Sequence, residues 1–389
     1  MNIDDRIERR LRSAGDSEIV RDFDVLSPVV HVDNPTGRGS GLEQLLDALD
    51  PAFAGSRPPD IYVHGPKGTG KSAVVSVLID RLAAHGGRQA DIIHTTTRAT
   101  GSILPDAVYV DARSAGSAFR IYRSVLGQLS DEPVPEQGVK TDTLRERLGR
   151  RASQRTEGIV VAVDHVGEPE THDLDTVLEI LGEASNRIAC LAIGRQPPTE
   201  LDATVEKTVS FGPYRHHTLV DILTARTSEA LTRDVLTHEQ IREVAEWAEG
   251  DAHDALSAVF GAAVTAEEAG HDTVETDDLD AGVGAVPRPS VALGRVLRLP
   301  ANRQRLLREL ISLDEQDNRS VAATTEAIAE SERIDLSEST IKRILYELAD
   351  SGYLERKRLE TQSGRGRPPS RIEPRFPTAV FGRLFDAEQ

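Results

Sequence analysis

Cysteine, methionine, tryptophan and lysine are all scarce in this 389-residue chain, and the first scarcity excludes a disulfide-stapled scaffold. The one cysteine, Cys190, lies in the apolar stretch IACLAI and reads as a small buried hydrophobe rather than a reactive thiol. The N-terminus shows no charged start followed by an apolar stretch, and the longest apolar runs, such as 159–163, are strand-sized. The expectation is therefore no signal peptide, no membrane partner and a cytoplasmic location. Lysine occurs only at 67, 71, 140, 207, 342 and 357, so the basic residues are nearly all arginine. Against 46 Lys and Arg stand 64 Asp and Glu, a formal charge of −18. An acidic, lysine-poor surface stays hydrated at high ionic strength, which points to a salt-rich cytoplasm, the other reading being an ordinary acidic protein of a GC-biased bacterium. It also excludes nucleic-acid binding by the whole surface, so any DNA contact has to come from a local basic patch.

The length exceeds one small core and fits two or three domains. Strand-sized runs at 61–64, 107–111, 158–164, 188–193 and 208–211 alternate with helix-patterned segments at 72–84, 118–129 and 174–183. That alternation predicts an α/β fold: a mostly parallel sheet with helices on both faces. From 217 to about 269 the pattern is wholly helical and reads as a small lid, and AGVGAVPRPSVALG at 281–294 reads as a linker. The expected divisions are an N-terminal segment (1–30), a nucleotide-binding core (31–212), a helical lid (213–284), a linker (285–299) and a C-terminal module (300–389).

The strongest local signal is GPKGTGKS, comprising Gly65, Pro66, Lys67, Gly68, Thr69, Gly70, Lys71 and Ser72. It matches the G-x-x-x-x-G-K-[ST] phosphate loop and stands between a strand, IYVH, and a helix, KSAVVSVLIDRL, as that motif must. Glycines let backbone amides fold around phosphate oxygens, and the helix N-terminus adds partial positive charge. Lys71 is expected on the terminal phosphates and the Ser72 hydroxyl on Mg²⁺, with ATP or ADP as the nucleotide. GIVVAVDHVGE supplies the second acidic element, Asp164, as the outer partner of Mg²⁺. The next residue is His165, where hydrolytic members of this superfamily usually carry Glu to orient the attacking water. A neutral imidazole substitutes poorly for a carboxylate, so the expectation is at most a slow ATPase. Glu168 reads as a surface turn residue, the other reading being a carboxylate that reaches in to the water-orienting position.

The C-terminal module reads as two short helices, a turn and a longer helix capped by Ser337 or Ser339 and ended by Gly352, followed by a basic hairpin. That is a winged helix-turn-helix. Arg356, Lys357, Arg358, Arg365, Arg367, Arg371 and Arg375 form a basic patch opposed by Glu360 and Glu373, with Arg365 and Arg367 at the wing tip. Thr340, Lys342 and Arg343, early in the third helix, are the candidates for major-groove contacts, or else a solvated helix face.

Several longer blocks carry a family resemblance: HVDNPTGRGSGLEQLLDALDPAFAGSRPPDIYVHGPKGTGKSAVV, YVDARSAGSAFRIYRSVLGQL, VVAVDH, FGPYRHHTLVDILTARTSEAL and EGDAHDALSAV. From about His31 to its C-terminus the chain resembles the archaeal origin-recognition and cell-division-cycle type replication initiators, which are AAA+ ATPases. The resemblance implies an AAA+ core, a helical lid and a C-terminal winged helix. It also implies double-stranded origin DNA as partner, and a replicative helicase or a paralogous initiator as protein partners. It places Arg38, Tyr214 and His253 by the nucleotide, although on residue chemistry alone Arg38 is a linker charge and His253 a lid-helix surface residue. It also maps the family's DNA-touching insertion onto 113–123, where amphipathic packing is the other reading.

The departures from the family pattern concentrate on hydrolysis. The family usually ends its fourth strand with Asn, where this chain has Gly194 and Arg195, the latter either on phosphate or in solvent. Its lid motif uses an Arg where His253 stands, and an Arg finger expected before FGPY is represented only by Lys207. The implied function is an origin-recognising nucleotide switch with weak or absent hydrolysis. The alternatives are an initiator-derived transcriptional or plasmid-maintenance regulator that loads no helicase, and an active ATPase working on protein partners.

Overall fold

The computed structural model describes residues 19–93, 104–130, 133–154, 158–358 and 370–387. The chain divides into two compact units, one spanning 31–214 and the other combining the residues up to 30 with those from 215 onward.

The first unit runs α1 (Gly39–Phe53), β1 (Ile61–His64), α2 (Lys71–Ile93), β2 (Asp106–Asp111), α3 (Ala118–Leu129), α4 (Thr141–Ser153), β3 (Ile159–Val166), α5 (Leu174–Ala184), β4 (Ile188–Gly194) and β5 (Lys207–Ser210). The five strands form one parallel sheet in the order β2-β3-β4-β1-β5. β3 and β4 are near-continuous apolar runs because helices cover both faces of the sheet, whereas the edge strand β5 buries Val209 and exposes Lys207. Successive β3 residues serve opposite cores. Val161 and Val163 pack with Ile121, Leu144 and Val177 of α3, α4 and α5, while Val160 and Ala162 pack with Leu45, Val75 and Ile79 of α1 and α2.

The other unit contains the lid helices α6 (His216–Ala230), α7 (His238–Trp247), α8 (Ala252–Ala269) and α9 (Thr276–Gly284). It continues with α10 (Ala301–Ser312), α11 (Val321–Glu330), α12 (Glu338–Asp350), β6 (Leu354–Arg358), β7 (Ser370–Pro374) and α13 (Thr378–Ala387). α8 is buried on nearly every side, as its Ala-rich sequence permits, and Gly282 lets α9 lie against it, since a Cβ there would collide with the Ala258 carbonyl. The three helices α10–α12 and the antiparallel β6–β7 hairpin follow in the order expected of a winged helix-turn-helix, and α13, which the sequence pattern had not suggested, comes after them. Ser337, not Ser339, caps α12 by accepting the Thr340 amide.

The expected linker is packed rather than loose. Val286, Val291, Leu293 and Val296 are all buried, the Val291 amide donates to the Arg375 carbonyl at 2.5 Å, and the Thr378 amide donates to the Ala285 carbonyl at 2.9 Å. Residues 19–30 join the same unit. Val20 bridges Leu231 in antiparallel fashion, Arg226 donates to the carbonyls of Ser27 and Val30, and Phe23 lies between the Phe260 ring and the Arg383 guanidinium. No helix among the described residues is long and apolar enough to cross a membrane.

Candidate functional site

Three positions of the turn from β1 into α2 take a backbone conformation that favours glycine. Gly65, Gly68 and Gly70 take positive φ values of 148°, 69° and 76°. A Cβ on Gly65 would collide with the Phe211 carbonyl, and one on Gly70 with the Tyr214 hydroxyl. Lys71 is buried, and its ammonium donates to the carbonyls of Gly65 at 2.7 Å and Pro66 at 2.6 Å. Thr69 is buried as well and its hydroxyl donates to the Pro66 carbonyl at 3.0 Å, closing the loop from within. Lys67 and Ser72 flank this cradle in sequence, Ser72 being the second residue of α2. A loop with glycines at its three positive-φ positions at the head of a helix, with a fixed ammonium beside it, fits a polyphosphate.

Arg38 is brought to the same place from the start of α1. Its guanidinium lies 3.6 Å from the Tyr214 ring centroid and donates to the Gly212 carbonyl at 2.8 Å, while the Tyr214 hydroxyl rests against Gly70. The Arg38 Nε is buried with no hydrogen-bond partner. A planar cation stacked on a phenol, next to the phosphate loop, offers a flat platform of the kind a purine takes.

At the end of β3, Asp164 is 1% exposed and both its carboxylate oxygens are engaged. One accepts the His165 amide at 2.7 Å and the other accepts the Tyr109 hydroxyl. Tyr109 gives no signal in sequence beyond strand propensity. Its phenol is held far above its usual pKa by burial and by the Asp164 carboxylate, so it remains a donor. A buried carboxylate of this kind fits the outer sphere of a Mg²⁺ that Ser72 would ligate directly.

His165 takes a left-handed φ of 64° where the β3–β4 register shifts, a bulge that turns its ring toward the strand end. Its Nε2 lies 3.6 Å from Asp164 Oδ2, and its Nδ1 3.5 Å from Glu168 Oε1. Glu168 corrects the surface-turn reading, because it is buried at the centre of a charge cluster. The Arg113 Nε donates to its Oε2 at 2.9 Å, and an Arg195 guanidinium nitrogen stands 2.8 Å from its Oε1. Burial alone would raise the pKa of this carboxyl. The His165 hydrogen bond and the charges of Arg113 and Arg195 outweigh that and hold it well below the usual carboxylate range. Arg113 follows β2, Glu168 follows β3 and Arg195 follows β4, so the cluster forms where the ends of three neighbouring parallel strands meet.

The family's Asn at the end of the fourth strand has no room here. A Cβ on Gly194 would collide with the Tyr62 hydroxyl and approach the Val166 carbonyl to 3.0 Å. In the segment 113–123, Arg113 pairs with Glu168, Arg123 pairs with Glu136, Ile121 and Tyr122 are buried, and Arg120 is exposed.

His253 is buried within its own unit. Its Nε2 accepts the Leu293 amide at 2.9 Å and its Nδ1 lies 3.1 Å from Asp254 Oδ1. Asp254 also accepts the Ser290 hydroxyl at 2.6 Å. An imidazole with both nitrogens engaged in this way ties α8 to the segment leading into the winged helix.

In the winged helix, Lys342 and Arg343 are exposed on α12, and the Thr340 hydroxyl is 3.0 Å from the Ser337 hydroxyl. Arg343 is paired with Glu347. Arg356, Lys357 and Arg358 project from β6, while Lys357 and Arg371 flank Glu373 across the hairpin. Arg365 and Arg367 lie outside the described residues.

A family model described as an AAA ATPase domain matches residues 34–193, and one described as a Cdc6 AAA+ ATPase-type lid domain matches residues 220–283. An "ORC1-type DNA replication protein 3" from Haloarcula marismortui is 26% identical over 293 residues, 71% of this chain and 73% of that protein. An "ORC1-type DNA replication protein 5" from Halobacterium salinarum is 25% identical over 295 residues, 69% of this chain and 66% of that protein. Among solved structures, the Aeropyrum pernix ORC1 protein in complex with DNA shares the fold, with a TM-score of 0.61 and 21% identity over 95% of this chain and 97% of that one.

Proposed function

Because the chain belongs to the archaeal Orc1/Cdc6 family of AAA+ initiator proteins, we propose that it is a DNA-binding switch set by a bound adenine nucleotide. The observation that carries the nucleotide half is the convergence of the glycine cradle, Lys71 and the Arg38–Tyr214 stack on one loop. The cradle takes the phosphates, Lys71 exchanges loop carbonyls for phosphate oxygens, and the Arg38–Tyr214 platform takes the base. Ser72 and Asp164 would hold Mg²⁺, which when bound would supply charge neutralisation on the phosphates.

Hydrolysis is weak or absent in this reading. His165 stands in the water-orienting position, Gly194 excludes an Asn, and His253 is occupied elsewhere. ATP binding rather than turnover then sets the state of the protein.

The DNA half rests on the exposed basic residues Lys342, Arg343, Arg356, Lys357 and Arg358 of a winged helix, together with Arg371 and the wing residues Arg365 and Arg367. A relative sharing this fold is described in complex with DNA. The partner is double-stranded origin DNA, and a replicative helicase or a paralogous initiator is the protein partner this role calls for. The altered hydrolytic positions also favour a second reading, a promoter-bound or plasmid-maintenance regulator. Calorimetry of the full chain in concentrated KCl with MgATP and with duplex DNA tests both halves, and absence of either association removes that half. Changing Arg365 and Arg367 together to Ala tests the wing, and unchanged DNA affinity would remove it. Genome-wide occupancy separates the readings, origin repeats supporting the first and promoters the second.

A further inference from the structure

We propose that Tyr109 is a positioning residue for the phosphate-loop site: its hydroxyl fixes the plane of the Asp164 carboxylate and so sets how much Mg²⁺ nucleotide binding requires. This rests on the nucleotide-binding reading and adds to it a residue that acts through Asp164.

Strand register brings the two side chains together. Tyr109 of β2 pairs with Ala162 of β3, and Asp111 pairs with Asp164. Alternate residues of a strand share a face, so all four lie on one face of the sheet. It is the face that α2 covers, since Ala162 packs with Val75 and Ile79, and α2 carries Ser72 at its head. β2 is an edge strand, yet its outer side is closed at Tyr109 by Gln128 of α3. The Gln128 Oε1 accepts the Tyr109 amide at 3.2 Å, and the Gln128 Nε2 donates to the Tyr109 carbonyl at 2.8 Å. The backbone beneath the phenol is thus held by β3 on one side and by a side-chain amide on the other.

The charges around Asp164 give the phenol its importance. Among the described residues, Oδ1 accepts the His165 amide at 2.7 Å and Oδ2 accepts the Tyr109 hydroxyl. The His165 Nε2 stands 3.6 Å from Oδ2, beyond hydrogen-bond reach. The Arg113 guanidinium is directed to Glu168, while Asp111, in register beside Asp164, is a like charge that accepts the Arg113 amide at 2.9 Å. One backbone amide and one phenol therefore orient this carboxylate against a neighbouring anion. With the phenol removed, Oδ2 loses its donor, and repulsion from Asp111 turns the group. A carboxylate that must turn back before it accepts a metal-bound water holds the ion less well.

The test is binding of a fluorescent ATP analogue to the full chain in concentrated KCl, titrated with MgCl₂ and repeated in EDTA. Tyr109→Phe, which keeps the ring and removes only the hydroxyl, is expected to raise the Mg²⁺ concentration for half-maximal effect by about threefold or more. Affinity in EDTA should stay within about twofold of wild type, which also reports an intact fold. In an Asp164→Asn background the same change should shift the Mg²⁺ requirement no further, because the group it positions is gone. An unchanged or lowered requirement in Tyr109→Phe, equal losses with Mg²⁺ and in EDTA, or an undiminished shift in Asp164→Asn overturns the assignment alone. A wild-type chain that binds no adenine nucleotide, or binds it without regard to Mg²⁺, overturns the underlying reading and the assignment with it.

Discussion

The Tyr62 hydroxyl stands where a Cβ on Gly194 would project, so a buried phenol on β1 and a bare backbone at the end of β4 are matched to each other. Burial pushes the Tyr62 phenol up to about 12, and its hydroxyl is spent on the Gln196 carbonyl. Restoring the family's Asn at 194 is therefore expected to overpack the strand end and destabilise the core by about 1–3 kcal/mol. Trimming the partner in Tyr62→Val Gly194→Asn should return part of that cost. Denaturant unfolding of both single variants and the double checks it. Strictly additive effects, with coupling below about 0.5 kcal/mol, would mean that the two positions are independent.

Lys71 carries the phosphate loop in two capacities, as a tie between the Gly65 and Pro66 carbonyls and as the cation for phosphate. Lys71→Ala is expected to cost about 1.5–3 kcal/mol of nucleotide affinity, about 10- to 150-fold in Kd. Equilibrium binding of a fluorescent adenine nucleotide measures this. Arg38→Ala should weaken the base contact without affecting free pyrophosphate as a competitor, which separates the two ends of the site.

What could be read from residues alone divides along physical lines. The sheet, its flanking helices and the phosphate loop were legible because each depends on local pattern: apolar runs of strand length, helical periodicity and a glycine spacing tied to backbone geometry. The observed β1 and α3 coincide with the expected spans, while β3 runs two residues past the expected end because the bulge at His165 lets pairing resume at Val166. Glu168, Arg113 and Arg195 were not legible together. They lie on three different strand ends, and nothing in a one-dimensional pattern says which loops meet. His253 carries a motif match to a nucleotide contact, and within its own unit packing engages its imidazole with the Leu293 amide and the Asp254 carboxylate, a pairing that no local pattern announces. The segment 281–294 has a linker's composition, yet its valines are buried, because Pro and Gly report backbone conformation rather than exposure.

Glu168 makes the charge cluster a pH-dependent element of stability. Its carboxyl is held below its ordinary value of 4.5 in the folded chain, so its contribution is complete above about that pH and is lost as pH falls through the depressed folded-state value. Glu168→Gln leaves two guanidiniums on a neutral amide and should be less stable than wild type by about 1–3 kcal/mol at neutral pH. The gap between the two denaturation midpoints is expected to stay constant from pH 8 to about 5 and to narrow on further acidification. A gap that widens in acid would show that the carboxyl is not stabilised as the anion.

DNA affinity should divide unequally between two neighbouring residues of α12. Arg343 is already paired with Glu347, and Glu347 also accepts from Arg303 at 2.9 Å, so a phosphate must compete for Arg343 with a carboxylate in place. Lys342 is exposed on the same helix, away from that arrangement. Lys342→Ala is therefore expected to make the slope of log K against log salt shallower by about 0.9, one lost phosphate contact, whereas Arg343→Ala changes it less. Glu347→Gln has the opposite sign: releasing Arg343 should strengthen binding and steepen the slope. Fluorescence anisotropy with a labelled duplex, titrated across KCl concentrations, reads all three variants in one format. If Lys342→Ala leaves the slope untouched while Arg343→Ala flattens it, α12 presents its other face to the double helix and the major-groove assignment of these side chains is wrong.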